Sequence, residues 1–543
     1  MVKLEDTEFA ILHKTAMKKV MVLSPSDAVA QIPDGATVAI SGFVGCAHPE
    51  ELTMALEVYF AQEGRPRDLT LVYAAGQGDG ETRGLNHLAS EGMLRRVIGG
   101  HWNLTPKLGQ LALANKIEAY TFPQGVISRL FREIAAGSPG VISHVGLGTA
   151  VDPRQGGSKL NRRTSEDLVQ LIELGGKEWL WYKAFPVHIA LLRGTASDSF
   201  GNISFEEEAV VGDVLSIAQA ARNSGGMTFV QVARLVEDFS RDPKTIIVPG
   251  IFVDGVVLAR KENHMQTFAE QFNPAYITAG NIAGVEFPSL EEGPRRYVAA
   301  RALMECQVGD VINLGIGIPE GVAGIAKEEN RLDQFTLTVE AGAGGGIPAG
   351  GLSFGASAYP SAIIAQPYMF DFYDGGGLDV AILGMAECDA QGNVNVSKFG
   401  GRIAGIGGFM NISQTAQKVV LVGTFTAGGL KTSFANGKLS VVAEGRTWKF
   451  VKMVEHLTFS ASQARLRGTK VLYVTERAVF VLGPSGLELT EIAPGMDLER
   501  DILAHMDFRP VIAAPLKVMP AEVFLPRQAR QGQQRDGQAT SNA

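Results

Sequence analysis

Short runs of Val, Ile and Leu break off at a glycine turn and give way to a helical segment, and this happens again and again along the chain. "ATVAISGF", "LTLVYAAG", "KTIIVPGIFVDGVV", "DVINLGIGIP", "DVAILGMAE" and "KVVLVGTF" are predicted as buried strands. "SPSDAVAQI", "PEELTMALEVYFAQ" and "DVLSIAQAARNS" are predicted as helices. A strand apolar at nearly every position has to be covered on both faces, and alternating helices supply that cover. The pattern therefore predicts an α/β fold with largely parallel sheets.

The order of these blocks repeats. "AVAQIPDGATVAISGFVGCAHPEELTMAL" runs helix, turn, strand, glycine turn, Pro-Glu, helix, and "ALMECQVGDVINLGIGIPEGVAGIA" does the same in the second half. "SDSFGNISFEEEAVVGD" is answered by "CDAQGNVNVSKFGGRIAGIG", and "AQAARNSGGMTFVQV" by "SQTAQKVVLVGTF". Three blocks matching in order predict two homologous open α/β domains in one chain. The join falls in the Pro-, Gly- and acid-rich stretch Asn273 to Arg296, giving domains at 1–280 and 281–525. The remaining residues, 526–543, are Gln-, Arg- and Gly-rich and poor in apolar side chains, so disorder is expected there.

Composition narrows the function classes. Of 543 residues 64 are glycine, well above the usual share of about 7%, and they cluster in loops rather than in a collagen-like period. The formal net charge is −8, which gives no reason to expect nucleic acid or an anionic membrane surface as partner. No apolar run is long enough for a membrane span, and the N-terminal stretch has acidic residues early and no apolar core of signal-peptide length. Cys46, Cys306 and Cys388 are far apart and odd in number, so neither a disulfide framework nor a CxxC metal site is expected; a reducing, cytoplasmic setting is.

The chemistry-bearing candidate is Glu340. The strand-like run Phe335 to Val339 ends in this one acid, and a chargeless glycine-rich loop, Ala341 to Gly351, follows. Ligands of open parallel sheets bind where strands end, at their carboxyl edge. The next acid downstream is Asp371, so no second carboxyl is at hand for acid/base hydrolysis. A single carboxylate beside bare backbone donors suits covalent catalysis, in which it attacks a carbonyl and the donors hold the oxyanion. A salt-bridged glutamate at a strand end would look the same. The loops at Gly315 to Gly317 and Gly405 to Gly408 invite a dinucleotide reading, but Glu320 stands where a third fingerprint glycine belongs. Gln124 in "FPQG" offers an amide donor, and Asn393, Asn395 and Lys398 lie in a turn-rich segment. Phe43, Tyr73 and Met93 are candidates for an acyl pocket. His87, His101, His144 and His188 show no metal-ligand spacing and are read as structural or surface histidines.

Together these residues resemble the family I CoA transferases over nearly the whole chain, in particular the fused, single-chain acetate/propionate CoA-transferases. Asp34-Gly35, Val38 to Ile40, Gly42-Phe43 and Pro49 follow the family's N-terminal signature, with Ser41 and Ala47 where glycine is usual. "NLGIGIP", "GIGGFMNI" and Val339-Glu340-Ala341-Gly342 resemble its second domain; the last departs from the Ser-Glu-Asn-Gly of the ketoacid branch. The resemblance implies the CoA-transferase fold and ping-pong transfer of coenzyme A between short-chain acyl-CoA and free carboxylates through a glutamyl-CoA thioester on Glu340. It implies no permanently bound cofactor and no metal, with coenzyme A as substrate and covalent intermediate. It further implies acyl or oxyanion contacts from Gln124, Asn393 and Asn395, CoA contacts from Gly405, Gly407 and Gly408, and a homo-oligomer, dimer or tetramer. The nucleophile is expected to ionise without a strongly raised pKa, and the bare loop after it to leave room for the thioester. An acyl-CoA hydrolase using the same glutamate, a 3-oxoacid transferase, or a non-catalytic relative remain alternatives.

Overall fold

The computed structural model describes residues 19–238, 240–282 and 290–525. Two large sheets organise them. In the first, eight parallel strands are β1 (Met21–Leu23), β2 (Thr37–Ile40), β3 (Leu69–Tyr73), β4 (Leu94–Gly99), β5 (Glu118–Thr121), β6 (Ile189–Ser197), β7 (Met227–Leu235) and β8 (Gly255–Leu258), in the order β1-β8-β7-β6-β2-β3-β4-β5. Every residue of β2, β3 and β6 is buried, as expected of strands covered on both faces. In the second sheet the parallel strands are β9 (Val311–Leu314), β10 (Thr336–Thr338), β11 (Val380–Gly384), β12 (Lys418–Val422) and β13 (Lys470–Val474), in the order β10-β9-β11-β12-β13. Antiparallel strands extend this sheet at both edges.

The two orders coincide. Reading β3-β2-β6-β7-β8 against β10-β9-β11-β12-β13, each half places its first repeat strand beside the next one on one side and the late strands on the other. The fold is thus two similar open α/β units in one chain. Glycine turns lead from β2 into α1 (Glu50–Glu63) and from β9 into the helix Glu320–Glu328. The segment "KTIIVPGIFVDGVV" departs from its expectation as one strand. It divides into a short antiparallel strand, Ile246–Val248, a single 3-10 turn, Gly250–Phe252, and then β8. Pro249 lacks the N–H a central strand needs, which explains the break. The stretch 526–543, expected to be disordered, lies outside the described residues.

The halves meet where α2 (Gln124–Ala135) of the first packs on α5 (Gln366–Asp374) and α6 (Phe409–Thr415) of the second; α3 (Val214–Asn223) packs beside α2, and the apolar side of α4 (Glu320–Glu328) belongs to the second half's own core. Ile406 and Met410 of the second half belong to the apolar core of the first. Arg132 on α2 donates to Asp371 on α5 at 2.7 Å. The segments Phe43 to Ala47 and Val339 to Ala343 share one apolar cluster, so both halves wall the space between them.

Candidate active site

Glu340 stands two residues beyond the end of β10 and is 8% exposed. Its carboxylate lines a cavity of about 660 Å³ to which both halves contribute: Phe43, Gly76, His101 and Gln124 from the first, Asn313, Glu320, Phe354 and Gly405 to Gly408 from the second. Most of the remaining wall is apolar, including Leu352, Leu383, Met385 and Phe409.

Local chemistry fixes the Glu340 side chain. Asn313, on β9, aims Nδ2 at Glu340 Oε2 at 3.4 Å, at the Thr338 carbonyl at 3.3 Å and at the Tyr373 hydroxyl at 3.4 Å. Tyr373 OH in turn donates to Thr338 Oγ1 at 2.8 Å. Asn313 Oδ1 is buried with no hydrogen-bond partner among the described residues. No cation pairs with Glu340 there. Burial pushes its carboxyl pKa above the ordinary glutamate value, and its own backbone N–H and Asn313 Nδ2 pull the other way. The expectation is a nucleophile without a strongly raised pKa; the direction is upward, because the apolar wall raises it and the hydrogen bonds from its own N–H and Asn313 offset only part.

The loop after Glu340 also differs from its expectation. Gly342, Gly345 and Gly346 are demanded by close packing, whereas Gly344 and Gly351 have open space where a Cβ would be. Gly342 has φ 123°, and a Cβ there would lie 1.9 Å from the Ile364 carbonyl oxygen. Of the stretch Gly342 to Gly351, Gly351 reaches the cavity. Space at the carboxylate comes instead from Gly408, where a Cβ would lie 3.6 Å from Glu340 Cγ.

Gln124 is brought into the same cavity at the start of α2, its backbone N–H donating to the Gly407 carbonyl at 3.0 Å. Its side chain is held from behind. Gln124 Nε2 donates to Gln366 Oε1 at 3.1 Å, and Gln366 Nε2 donates to Ser128 Oγ at 2.7 Å and Asp213 Oδ2 at 2.9 Å. Burial pushes the Asp213 carboxyl up to about 7, against the pull of the bonds from Ser128 and Gln366. With both N–H groups of Gln366 engaged, its oxygen must face Gln124.

Other residues are placed differently from expectation. Asn393 and Asn395 do not line the cavity. Asn393 Nδ2 donates to Asp389 and its Oδ1 accepts from the Ala461 N–H; Asn395 Nδ2 donates to Glu387 and to the Lys398 carbonyl. Both amides are spent on shaping their own turn, as turn asparagines commonly are. Gly405, Gly407 and Gly408 do line it, but the Gly405 N–H donates to the Ser397 carbonyl and the Gly407 N–H to the Gly100 carbonyl. Gly408 has no such backbone bond among the described residues. Phe43 lines the cavity, whereas Tyr73 and Met93 are fully buried in the first sheet's core.

Asn313 escaped the sequence reading, His101 was expected to be structural or on the surface, and Glu320 was noticed only as the residue that breaks a glycine fingerprint; all three line the cavity. Asn313 and His101 each follow or end a parallel strand, a positional signal that was available. Glu320 supplies a second carboxylate, brought in from the start of α4 by the turn after β9, and burial raises its pKa too. Among the described residues no cluster of three or more His, Cys, Asp or Glu is arranged to hold a metal, and no helix is long and apolar enough to cross a membrane.

Two similar α/β units closing over a buried strand-end glutamate define the class, and comparison with known proteins agrees. The family model "Coenzyme A transferase" matches residues 22–259. Acetate CoA-transferase YdiF of Escherichia coli (strain K12) is 44% identical over 93% of this chain and 96% of its own length. Caffeate CoA-transferase of Acetobacterium woodii is 44% identical over 92% of this chain and 97% of its own. A solved structure of the E. coli O157:H7 acyl-CoA transferase YdiF, as a thioester complex with CoA, superposes with a TM-score of 0.88 at 44% identity, covering 93% and 96% of the two chains. The chain belongs to the coenzyme A transferase family.

Proposed function

We propose that this chain transfers coenzyme A between short-chain acyl-CoA and free carboxylic acids of the acetate, propionate and butyrate class, through a glutamyl-CoA thioester on Glu340. The observation that carries the reading is the position of Glu340, a buried carboxylate without a cationic partner among the described residues, in a cavity walled by both halves. A Glu340 oxygen attacks the thioester carbonyl, the C–S bond breaks, and CoA thiolate leaves behind a mixed anhydride. The thiolate then attacks the Glu340 side of the anhydride, forming glutamyl-CoA and releasing the first carboxylate. An acceptor carboxylate reverses both steps. No net proton transfer is needed, so the raised pKa of Glu340 limits the reaction only at acid pH. Gln124, fixed by Gln366, faces the acyl group, and Gly408 lies where CoA sulfur meets Glu340.

The domain assignment follows the same reading. Residues 1–280 form the acyl side, and 281–525 carry the glutamate and the CoA side. The enzyme works as a cytoplasmic homo-oligomer. Initial rates with propionyl-CoA and acetate test the reaction. Parallel double-reciprocal lines are expected, and intersecting lines would exclude the ping-pong scheme.

A wider acid range has its own support. The relative from A. woodii is named for caffeate, and a cavity of about 660 Å³ holds more than an acetyl group. Competition between acetate and an aryl-propenoic acid as acceptors measures which class prevails.

A further inference from the structure

We propose that His101 is a catalytic residue of this chain, donating a ring N–H to the carbonyl oxygen of the acyl group that reacts at Glu340. The inference rests on the reading of Glu340 as nucleophile.

His101 stands two residues beyond β4, at the carboxyl edge of the first sheet. Its ring lines the cavity, and neither ring nitrogen has a hydrogen-bond partner among the described residues. The ring is half-buried on the cavity wall, open to a partner that arrives with the substrate. The backbone around it is rigidly specified. His101 and Gly405 form an antiparallel bridge, and the next residue, Trp102, donates its N–H to the Ala404 carbonyl at 2.7 Å. Gly76 makes room for the ring, since a Cβ there would meet Nδ1 at 2.4 Å.

The ring and the nucleophile flank the same short segment. A Cβ at Gly407 would lie 3.5 Å from His101 Cδ2, and one at the next residue, Gly408, 3.6 Å from Glu340 Cγ. Of the backbone donors of this segment, the Gly405 and Gly407 N–H groups are taken by the Ser397 and Gly100 carbonyls, which leaves that of Gly408. An oxygen gaining negative charge here meets His101 as a side-chain donor on this wall, beside the Gly408 N–H and Gln124 Nε2. Burial holds the imidazole pKa down at about 4, so the ring is neutral under working conditions. A neutral donor strengthens its bond as the carbonyl oxygen charges, without forming an ion pair that would quench the Glu340 carboxylate. No proton changes hands.

Leu and Asn at position 101 test this, being nearly equal in shape and differing in the donor. The rate of CoA adduct formation on Glu340 is measured by rapid quench with acetyl-CoA, alongside Tm. The expected result is a slowing of about 10²-fold in His101→Leu, recovered at least tenfold in His101→Asn, with KM for acetyl-CoA changed little in either. Equal rates in the two variants overturn the proposal, since lost packing alone would slow both alike. A wild-type adduct with unaltered rates in both variants overturns the role of His101 and leaves the nucleophile standing. No adduct in the wild type overturns both.

Discussion

Glu340 combines two demands that oppose each other. It must be ionised to attack, yet its burial favours the neutral acid, and its charged form is held by its own backbone N–H and by a 3.4 Å contact from Asn313. A carboxylate so weakly solvated is a better nucleophile, at the cost of losing its charge sooner as pH falls. Transfer is therefore predicted to decline toward acid along a limb centred above the ordinary glutamate pKa of about 4.3. Replacing Asn313 by Leu removes a bond to the charged form, so the limb should move to higher pH; kcat/KM measured against pH checks this, and an unmoved limb would remove Asn313 from the account. The cavity's second carboxylate gives a further discrimination. Glu340→Gln should abolish CoA exchange, whereas Glu320→Gln should leave glutamyl-CoA formation measurable. The reverse outcome would transfer the nucleophile's role to Glu320.

At the scale of elements, the strand-turn-helix units carry the site because turns at strand ends put short polar side chains on one edge. This much was legible. Most of the predicted strands and helices are present, and Glu340 and Gln124 share a cavity as the resemblance implied. What was not legible was which backbone groups remain free. The Gly405 and Gly407 amides look available in sequence but bond to Ser397 and Gly100, residues brought close only by the fold. Asn393 and Asn395 likewise looked like donors and serve their own turn. Gly342, Gly345 and Gly346 after Glu340 looked like space and are packing requirements. Gly342→Ala should accordingly lower stability by about 2–4 kcal/mol, because its φ is positive and its Cβ would strike the Ile364 carbonyl. Thermal unfolding with adduct yield measures this; an unchanged Tm would mean that Ile364 yields freely.

For the whole molecule, the duplication was readable because each half repeats its own local pattern. The seam between halves was not, since its contacts join distant residues. Gln124 and Gln366 are 242 positions apart, and Gln366 and Asp213 are 153 apart. Asp213 makes that seam sensitive to pH. Its folded pKa, about 7, lies above the ordinary aspartate value of 3.8, so between these values the folded state holds a proton that the unfolded state has released. Stability from this group is present in full below the lower value and is lost as pH rises through the upper. Asp374, raised by burial to about 6, adds a loss of the same sign. Asp213→Asn should flatten the fall of Tm between about pH 4 and pH 7, with an unaltered slope contradicting the assignment. It should also slow transfer, because an amide at position 213 no longer dictates which way Gln366 points.

The central claim is that Glu340 becomes a thioester of coenzyme A. The most direct measurement is the intact mass of the protein after incubation with acetyl-CoA, followed by borohydride reduction and peptide mapping. The account predicts a CoA-sized adduct whose reduction product maps to Glu340, in the Thr336 to Gly351 stretch. An adduct mapping elsewhere, or none together with no exchange of CoA into free carboxylates, would contradict it.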